Sequence, residues 1–250
     1  QLTPDSVITV TGKVVENDYV KMGGVEMIPE SIEVESTANA LPIVRKEIAA
    51  TKKKKAVERS SIDQRIDYRW IDLRTDENQL MFKAQSCFVN AMRKFLLDRN
   101  FIEIHTPKLI AAASESGSEV FKVDYFDRNA YLAQSPQFYK QMAMAAGFER
   151  IFETGPVFRA EKSYTNKHST EFSGFDLEFS YITSYKDVMK MEEELLTAGL
   201  QAVKDNYGDQ IKEMFGQEVI VPTTPFPVVK LADLYKGLEE EFGYTVDESE

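Results

Sequence analysis

Residues 171–182 read EFSGFDLEFSYI, and this stretch decides the fold because it alternates with the period of two that a β-strand requires. We expect its apolar face to be buried, and that face holds Phe175, Leu177, Phe179 and Tyr181. The opposite face has an aromatic ring, a gap left by glycine and two carboxylates roughly 7 Å apart. A solvated strand face is the alternative, but it rarely places a lone phenylalanine between polar neighbours. We therefore favour a functional surface, made by Phe172, Gly174, Asp176, Glu178 and Ser180.

The preceding stretch, VFRAE at residues 157–161, predicts a second strand with Arg159 and Glu161 on one face. If the two strands pair, these side chains lie beside Phe172 and the carboxylates. An arginine in such a place forms either a structural ion pair or a planar fork for a phosphate, and the sequence leaves both open. The loop between the strands adds donors for a polyphosphate, namely Lys162, Lys167 and His168.

A helix is predicted after Ser135, with this serine as N-cap, Pro136 at the first helical position and Gly147 just past the end. Gln137 and Lys140 are three residues apart and therefore share one face near the N-terminus. Because a helix N-terminus favours anions, a lysine there indicates an anionic ligand. A plain surface lysine remains the alternative.

The rest of the chain predicts an α+β fold with antiparallel strands rather than a βαβ alternation. Residues 7–13 alternate as a strand, and residues 25–36 predict a strand pair around Pro29. Apolar residues at three- and four-residue spacing predict a helix over residues 77–98. Further expectations are a strand over 101–105 ending at Pro107, a hairpin turning at 127–129, and a helix from a Ser184–Asp187 capping box to about residue 205.

Composition excludes several classes of protein. The 250 residues are 43% hydrophobic and 28% charged, which is ordinary for a globular chain, and no apolar run reaches the roughly 18 residues of a membrane span. Cys87 is the single cysteine, so an intramolecular disulfide and a cysteine-rich zinc site are excluded. Neither a dinucleotide-binding glycine motif nor a P-loop is present.

One segment stands out in charge. The net charge is −11, yet residues 52–55 are four consecutive lysines within a stretch that has no apolar period. A solvated linker or hinge is the simpler interpretation, and contact with a polyanion is the alternative.

Several of these motifs resemble those of class II aminoacyl-tRNA synthetases. FRAE at 158–161 with His168, Glu171-Phe172 and Asp176-Leu-Glu178 resembles their motif 2, and the helix with FIEIHTP at 101–107 resembles motif 1. YLAQSPQFYKQ at 131–141 and RWIDLRT at 69–75 are similar to the aspartyl branch, of eukaryotic or archaeal type. The family's glycine-rich motif 3 is not found, so the chain resembles an incomplete fragment.

The resemblance implies a domain plan. Residues 1–44 would be the C-terminal part of an OB-fold, a β-barrel domain that binds the anticodon. Residues 45–62 would be a lysine-rich hinge, and residues 63–250 a partial antiparallel-sheet catalytic domain with motifs 1 and 2.

The resemblance also implies roles for single residues. Arg159 would be catalytic, holding the ATP α-phosphate and the substrate carboxylate. Other ATP-binding residues would be Glu161, Lys167, His168 and Phe172, the last stacking on adenine. Aspartate would meet Lys140 through its side-chain carboxylate, and its ammonium group would meet Glu115, Gln137 and Asp176. Mg²⁺ would accompany ATP, but its family ligands would lie beyond residue 250.

By this resemblance the protein would be an aspartate–tRNA ligase, charging tRNA-Asp from L-aspartate and ATP in the cytoplasm. It would be a homodimer through residues around 80–107, with no membrane association. An asparagine-charging enzyme is the nearer alternative, since a sister enzyme shares these motifs. A non-catalytic tRNA-binding paralogue is the other. Lys140 argues against asparagine, because an amide would leave this cation without a charged partner.

Overall fold

The computed structural model describes residues 2–21, 23–46, 58–112, 119–162, 165 and 167–246. The chain forms two compact units, Gln1–Met81 and Phe82–Glu250, and each is described by itself. This division falls inside a helix, so it differs from the boundaries at residues 44 and 62 that the sequence predicts. Those boundaries stay a prediction. The four lysines at 52–55 lie outside the described residues.

The first unit opens with an antiparallel strand pair, β1 (Val7–Glu16) and β2 (Val25–Ser36). The expected strand pair around Pro29 is wrong, because β2 runs through this proline as one strand. The register shifts between Thr11 and Gly12, opposite Pro29, which has no N–H to donate to the ladder. At Gly12 the strands are so close that a β-carbon would lie 2.2 Å from the carbonyl oxygen of Ile28.

Short helices follow in this unit: α1 (Ile62–Asp67), capped by Ser61, and α2 (Arg69–Asp72). Asp72 is fully buried and binds the guanidinium of Arg69 at 2.7 Å, with Arg59 and Arg65 at 3.4 and 3.6 Å. Burial raises the pKa of Asp72, but the Asn78 amide and the three arginines outweigh it and hold the pKa below its ordinary value. This ionised carboxylate holds the two helices to the chain on either side.

Helix α3 (Asp76–Leu97) begins in the first unit and continues into the second, one residue from each predicted end. The second unit then contains β3 (Ile102–Glu103), β4 (Leu109–Ile110), β5 (Lys122–Tyr125), β6 (Arg128–Leu132), α4 (Gln137–Ala145), β7 (Arg150–Phe158), β8 (Glu171–Phe179), α5 (Tyr185–Phe215) and α6 (Leu231–Phe242). Two three-stranded sheets form, in the orders β3-β7-β8 and β4-β6-β5. In the described part of this unit the strand pairings are antiparallel except that between β3 and β7, which is parallel and was not expected.

The core of this unit lies under the apolar face of β8, as the alternation predicts. Its buried centre is formed by Met92, Leu96, Phe101, Phe152 and Leu195. Phe175, Leu177 and Phe179 pack against this centre. Tyr181 does not, since β8 ends at Phe179 and the tyrosine is 87% exposed, so its expected burial is wrong.

Several element ends also differ from expectation. The hairpin turn is two residues, Phe126 and Asp127, because Tyr125 pairs with Arg128, so the three-residue turn is wrong. The capping box of Ser184 and Asp187 is present, but α5 runs ten residues past the predicted end and stops at Gly216, whose φ is 67°. Helix α6 was not predicted. Gly147 ends α4 with a φ of 92°, as expected.

Within the described residues, no helix has the length and apolar content to cross a membrane.

Candidate active site

The polar face of the β7–β8 pair forms the floor of the site. Opposite one another in the register are Val157 and Phe172, Gly155 and Gly174, Glu153 and Asp176, and Ile151 and Glu178. Because directly opposed residues of an antiparallel pair project to the same side, these side chains share one surface. An aromatic ring therefore lies at one end of the surface and acidic groups at the other. The two glycines between them leave a gap with no side chains.

Two cavities adjoin this floor. The smaller, about 100 Å³, is lined by Lys108, Gln134, Ser135, Pro136, Glu153, Gly155, Val157, Arg159, Phe172, Gly174, Phe175 and Asp176. The larger, about 240 Å³, is lined by Arg159, Glu161, Lys167, His168, Ser169 and Phe172. They share Arg159 and Phe172, so one ligand can extend from the acidic end of the floor, past the guanidinium, to the basic loop.

Arg159 follows β7 directly, and its backbone N–H donates to the carbonyl oxygen of Thr170 at 2.9 Å. Its guanidinium carbon lies 5.6 Å from the ring centroid of Phe172. Among the described residues, no carboxylate is in ion-pair distance of this arginine, and its Nε is buried without a hydrogen-bond partner. The structural ion pair that the sequence left open is therefore not formed in this part of the chain. A guanidinium that is partly buried, lines a cavity and has no carboxylate partner suits an anionic ligand.

Lys140 is not a surface lysine. It is 5% exposed, and its ammonium group binds the carboxylates of Asp176 and of Glu178, the latter at 3.2 Å. The expectation that Lys140 meets a ligand did not include these protein partners. A signal for them was present in the sequence, since two carboxylates two residues apart on one strand face need a cation when they are partly buried. The cluster of one lysine and two carboxylates has a formal charge of −1.

A second lysine–carboxylate pair was missed by the sequence reasoning. Glu153 is 3% exposed and accepts hydrogen bonds from the Thr106 N–H at 2.8 Å, the Thr106 hydroxyl at 2.7 Å and the Lys108 ammonium at 2.9 Å. Burial raises the pKa of this carboxyl group, but these three donors outweigh it and hold the pKa below its ordinary value. The sequence signal was an acidic residue inside the apolar strand IFETG at 151–155.

The other predicted site residues fall into three groups: those that line the larger cavity, one in the first turn of α4, and one outside the described residues. Glu161, Lys167 and His168 line the larger cavity. Gln137 is half buried in the first turn of α4, whereas Gln134, which the sequence reasoning passed over, lines the smaller cavity. His168 binds the Thr165 hydroxyl through Nδ1. Glu115 lies outside the described residues.

Metal ligands are not gathered in the described ranges, which contain no group of three or more histidine, cysteine or acidic residues able to hold an ion. The carboxylates on the floor of the site are each bound to a lysine: Glu153 to Lys108, and Asp176 and Glu178 to Lys140. These residues therefore do not fit the role of Mg²⁺ ligands.

This site and fold define a class of protein. Residues 61–247 match the family described as tRNA synthetases class II (D, K and N), and the chain belongs to this family. The α+β class II fold expected from the sequence is thereby confirmed.

The curated relatives give the branch within the family. An aspartate–tRNA(Asp/Asn) ligase of Methanopyrus kandleri is 45% identical over 249 residues, covering 97% of this chain and 55% of the relative. An aspartate–tRNA(Asp) ligase of Picrophilus torridus is 42% identical over 214 residues, covering 85% of this chain and 48% of the relative. The chain spans about half the length of these curated relatives.

Solved structures include both sister activities. An asparaginyl-tRNA synthetase of Pyrococcus horikoshii bound to asparaginyl-adenylate has a TM-score of 0.85 at 30% identity, covering 100% of this chain and 55% of that one. An aspartyl-tRNA synthetase of Entamoeba histolytica has a TM-score of 0.76 at 31% identity, covering 98% and 51%. The backbone alone therefore does not decide between the two amino acids.

Proposed function

We propose that the full-length protein is an aspartate–tRNA ligase, which activates L-aspartate with ATP and transfers it to tRNA-Asp. The observation that carries this proposal is the half-buried Arg159, whose guanidinium has no carboxylate partner in the described part of the chain and lines both cavities. A planar fork in that position suits the α-phosphate of a nucleotide whose base stacks on Phe172.

The larger cavity suits the rest of the nucleotide. Lys167 and His168 supply donors for the β- and γ-phosphates, and the Glu161 carboxylate supplies an acceptor for the adenine amino group. Phe172 is 40% exposed and lines this cavity, and an accessible aromatic side chain suits stacking on adenine.

The acidic end of the floor suits the amino acid. Lys140 has three N–H donors; it donates to Asp176 and lies 3.2 Å from a carboxylate oxygen of Glu178, so within the described residues it keeps donor capacity for the side-chain carboxylate of aspartate. The charge of −1 on this cluster suits the ammonium group of the substrate, from which Asp176 would accept a hydrogen bond. Gln137 and Glu115 are further proposed contacts of this ammonium group. The side-chain carboxylate of the substrate would thus contact the Lys140 cation, and its ammonium group would contact the Asp176 carboxylate.

Activation needs positioning more than covalent chemistry from the protein. A carboxylate oxygen of aspartate attacks the α-phosphorus, the bond to the bridging oxygen breaks, and pyrophosphate leaves with the electron pair. Arg159 would neutralise the charge that develops on the phosphoryl oxygens. In the second step a ribose hydroxyl of the tRNA 3′ end attacks the carbonyl carbon and AMP leaves. ATP is expected to bind together with Mg²⁺, but the lysine-bound carboxylates described above do not fit the role of ligands for this ion.

Asparagine charging is the second candidate, and one observation favours it. The carboxylates of Asp176 and Glu178 are each about one-third exposed, and either would accept an N–H from a side-chain amide. The structural relative bound to asparaginyl-adenylate points the same way. Lys140 does not exclude asparagine by itself, because Asp176 and Glu178 already neutralise its charge. We favour aspartate because the curated relatives at 45% and 42% identity are named aspartate–tRNA ligases.

Aminoacylation by the full-length protein separates the candidates. With radiolabelled amino acids and tRNA-Asp, we expect charging with aspartate and little with asparagine. A preference for asparagine on tRNA-Asn would replace the proposal by the sister activity. Binding of tRNA without any charging would indicate the non-catalytic paralogue.

Assembly and location remain proposals. The helix α3 and strand β3 leave Phe82, Leu97 and Ile102 about half exposed, which supports a homodimer through residues around 80–107. Cytoplasmic location remains a prediction from the resemblance.

A further inference from the structure

We propose that Lys108 is a further substrate-binding residue, whose ammonium group donates to an anionic group of the ligand, a carboxylate or a phosphate, over the Gly155–Gly174 gap. This inference rests on the proposed function, because it assigns a contact within the same site. The resemblance to the family assigned no role to this lysine.

The position of the ammonium group is the first observation. A β-carbon placed on Gly155 would lie 3.5 Å from Cε and 3.6 Å from Nζ of Lys108, so the ammonium group borders the gap directly. Lys108 lines the smaller cavity together with Arg159 and Asp176. Its side chain is 22% exposed, so it is partly open to a ligand while its partner Glu153 is closed off.

Its hydrogen bonds are the second observation. The ammonium group donates to Glu153 Oε1 at 2.9 Å and to the Thr106 hydroxyl at 3.0 Å. A lysine has three donors, so one N–H has no partner among the described residues. Glu153 also accepts two hydrogen bonds from Thr106, so its carboxylate has polar partners besides Lys108. The lysine is therefore held in place with spare capacity toward the cavity.

The main chain fixes this arrangement. The carbonyl oxygen of Lys108 accepts the N–H of Ala133 at 2.9 Å, and the carbonyl of Ala133 accepts the N–H of Phe158 at 2.9 Å. The lysine is thus tied both to the segment that leads into α4 and to the end of β7, beside Arg159. A donor that is fixed before the ligand arrives loses little conformational entropy on binding.

A structural role must be separated from a binding role, because replacing Lys108 alone would leave the buried Glu153 without its cation. The double variant Lys108→Met/Glu153→Gln removes both charges and keeps the side-chain volumes. It is compared with Glu153→Gln, which retains the lysine. The matched control is Lys212→Met/Glu218→Gln, an exposed pair joined at 2.6 Å, for which we expect unchanged kinetics.

The measurement is aspartate-dependent ATP–pyrophosphate exchange by the full-length protein, with KM determined for aspartate and for ATP, and with melting temperatures in parallel. Loss of one charge-assisted hydrogen bond should raise one KM about 10- to 100-fold in the double variant relative to Glu153→Gln. A rise for aspartate identifies a carboxylate as the ligand group, and a rise for ATP identifies a phosphate. Both KM values within about twofold, at equal melting temperature, would overturn the proposal.

A second variant covers the case in which the double variant does not fold. Gly155→Ala keeps both charges and places a methyl group between the ammonium group and the ligand, so the same KM should rise. An unchanged KM there would overturn the proposal.

Calorimetric titration with ATP and with aspartate supplies a readout besides activity. If the full-length protein binds either ligand but exchanges no pyrophosphate with aspartate, the proposed function fails. In that case the proposed contact of Lys108 with the ligand is still tested, because Gly155→Ala should weaken the binding measured by calorimetry. Unchanged binding would overturn it.

Discussion

Arg159 lines both cavities of the site, whereas Lys140 binds Asp176, a residue that lines the smaller one, and the surroundings of the two cations are opposite. Lys140 is held by two carboxylates, whereas Arg159 has a buried Nε with no partner in the described part of the chain. A buried N–H without an acceptor destabilises the fold, and an anionic ligand that accepts from the guanidinium would offset this. The two cations therefore have different predicted consequences when they are replaced.

Replacing Lys140 should remove recognition of the aspartate side chain. In Lys140→Ala we expect aspartate-dependent exchange to fall by about 10²-fold or more, because Asp176 and Glu178 then repel the anionic side chain with no cation between them. Lys236→Ala, at an exposed ion pair on α6, is the control. Exchange near the wild-type rate in Lys140→Ala would refute its assignment.

Glu153 gives a prediction for the pH dependence of stability. Its folded-state pKa lies below the ordinary value of 4.5, so the ionised form stabilises the fold fully above that pH. As the pH falls below 4.5 and through the lower folded-state pKa, this contribution is lost. Melting temperature measured from pH 6 to pH 3 should therefore fall more steeply in the wild type than in Glu153→Gln. Parallel curves would contradict the account.

At the scale of elements, helices α3 and α5 cross closely at Gly199. A β-carbon on this glycine would lie 2.6 and 2.7 Å from ring atoms of Phe88 and 3.1 Å from Cγ of Met92. Alanine normally stabilises a helix interior by about 0.5–1 kcal/mol relative to glycine. Here overpacking should outweigh that gain.

We therefore predict that Gly199→Ala lowers the free energy of unfolding by about 1–3 kcal/mol. Gly208→Ala on the same helix meets only Cγ of Lys204, at 3.6 Å, and should raise it by about 0.5–1 kcal/mol. Urea denaturation measures both. Equal effects of the same sign would show that the crossing is looser than the structure has it.

The elements also show how far sequence reasoning reaches. The alternation of residues 171–179 predicted both the buried face and the polar face of β8, because a period of two leaves one solution once one side is apolar. The periodicity of α3 predicted its ends within one residue for a similar reason. Motif resemblance predicted one site for Arg159, Phe172 and Lys140; the structure places Arg159 and Phe172 together in both cavities, whereas the substrate roles of all three stay predictions.

What failed depends on contacts between distant segments. The parallel pairing of β3 with β7 joins residues about 50 positions apart, and no local pattern encodes it. The Thr106–Lys108–Glu153 cluster has the same character, since neither segment reveals its partner alone. The end of α5 at Gly216 was missed because polar residues beyond position 205 weakened the apolar period.

At the scale of the whole molecule, we predict a two-fold dimer of the full-length protein through residues around 80–107. Light scattering should give twice the chain mass, and Ile102→Asp, which charges an apolar side chain 50% exposed on β3, should shift the protein toward monomer. Ile220→Asp, at a side chain 80% exposed, is the control and should leave the mass unchanged. A wild type that is strictly monomeric would contradict the prediction.

The central claim is that Arg159 is the phosphate fork of an aspartate-activating site. The most direct test is ATP–pyrophosphate exchange by the full-length protein, comparing wild type, Arg159→Ala and the control Arg74→Ala, whose exposed arginine is bound to Asp5 at 3.0 Å. We predict that exchange requires aspartate, falls about 10²- to 10³-fold in Arg159→Ala and is unchanged in the control. Exchange in Arg159→Ala at the wild-type rate, or a wild type that activates no amino acid, would contradict the account.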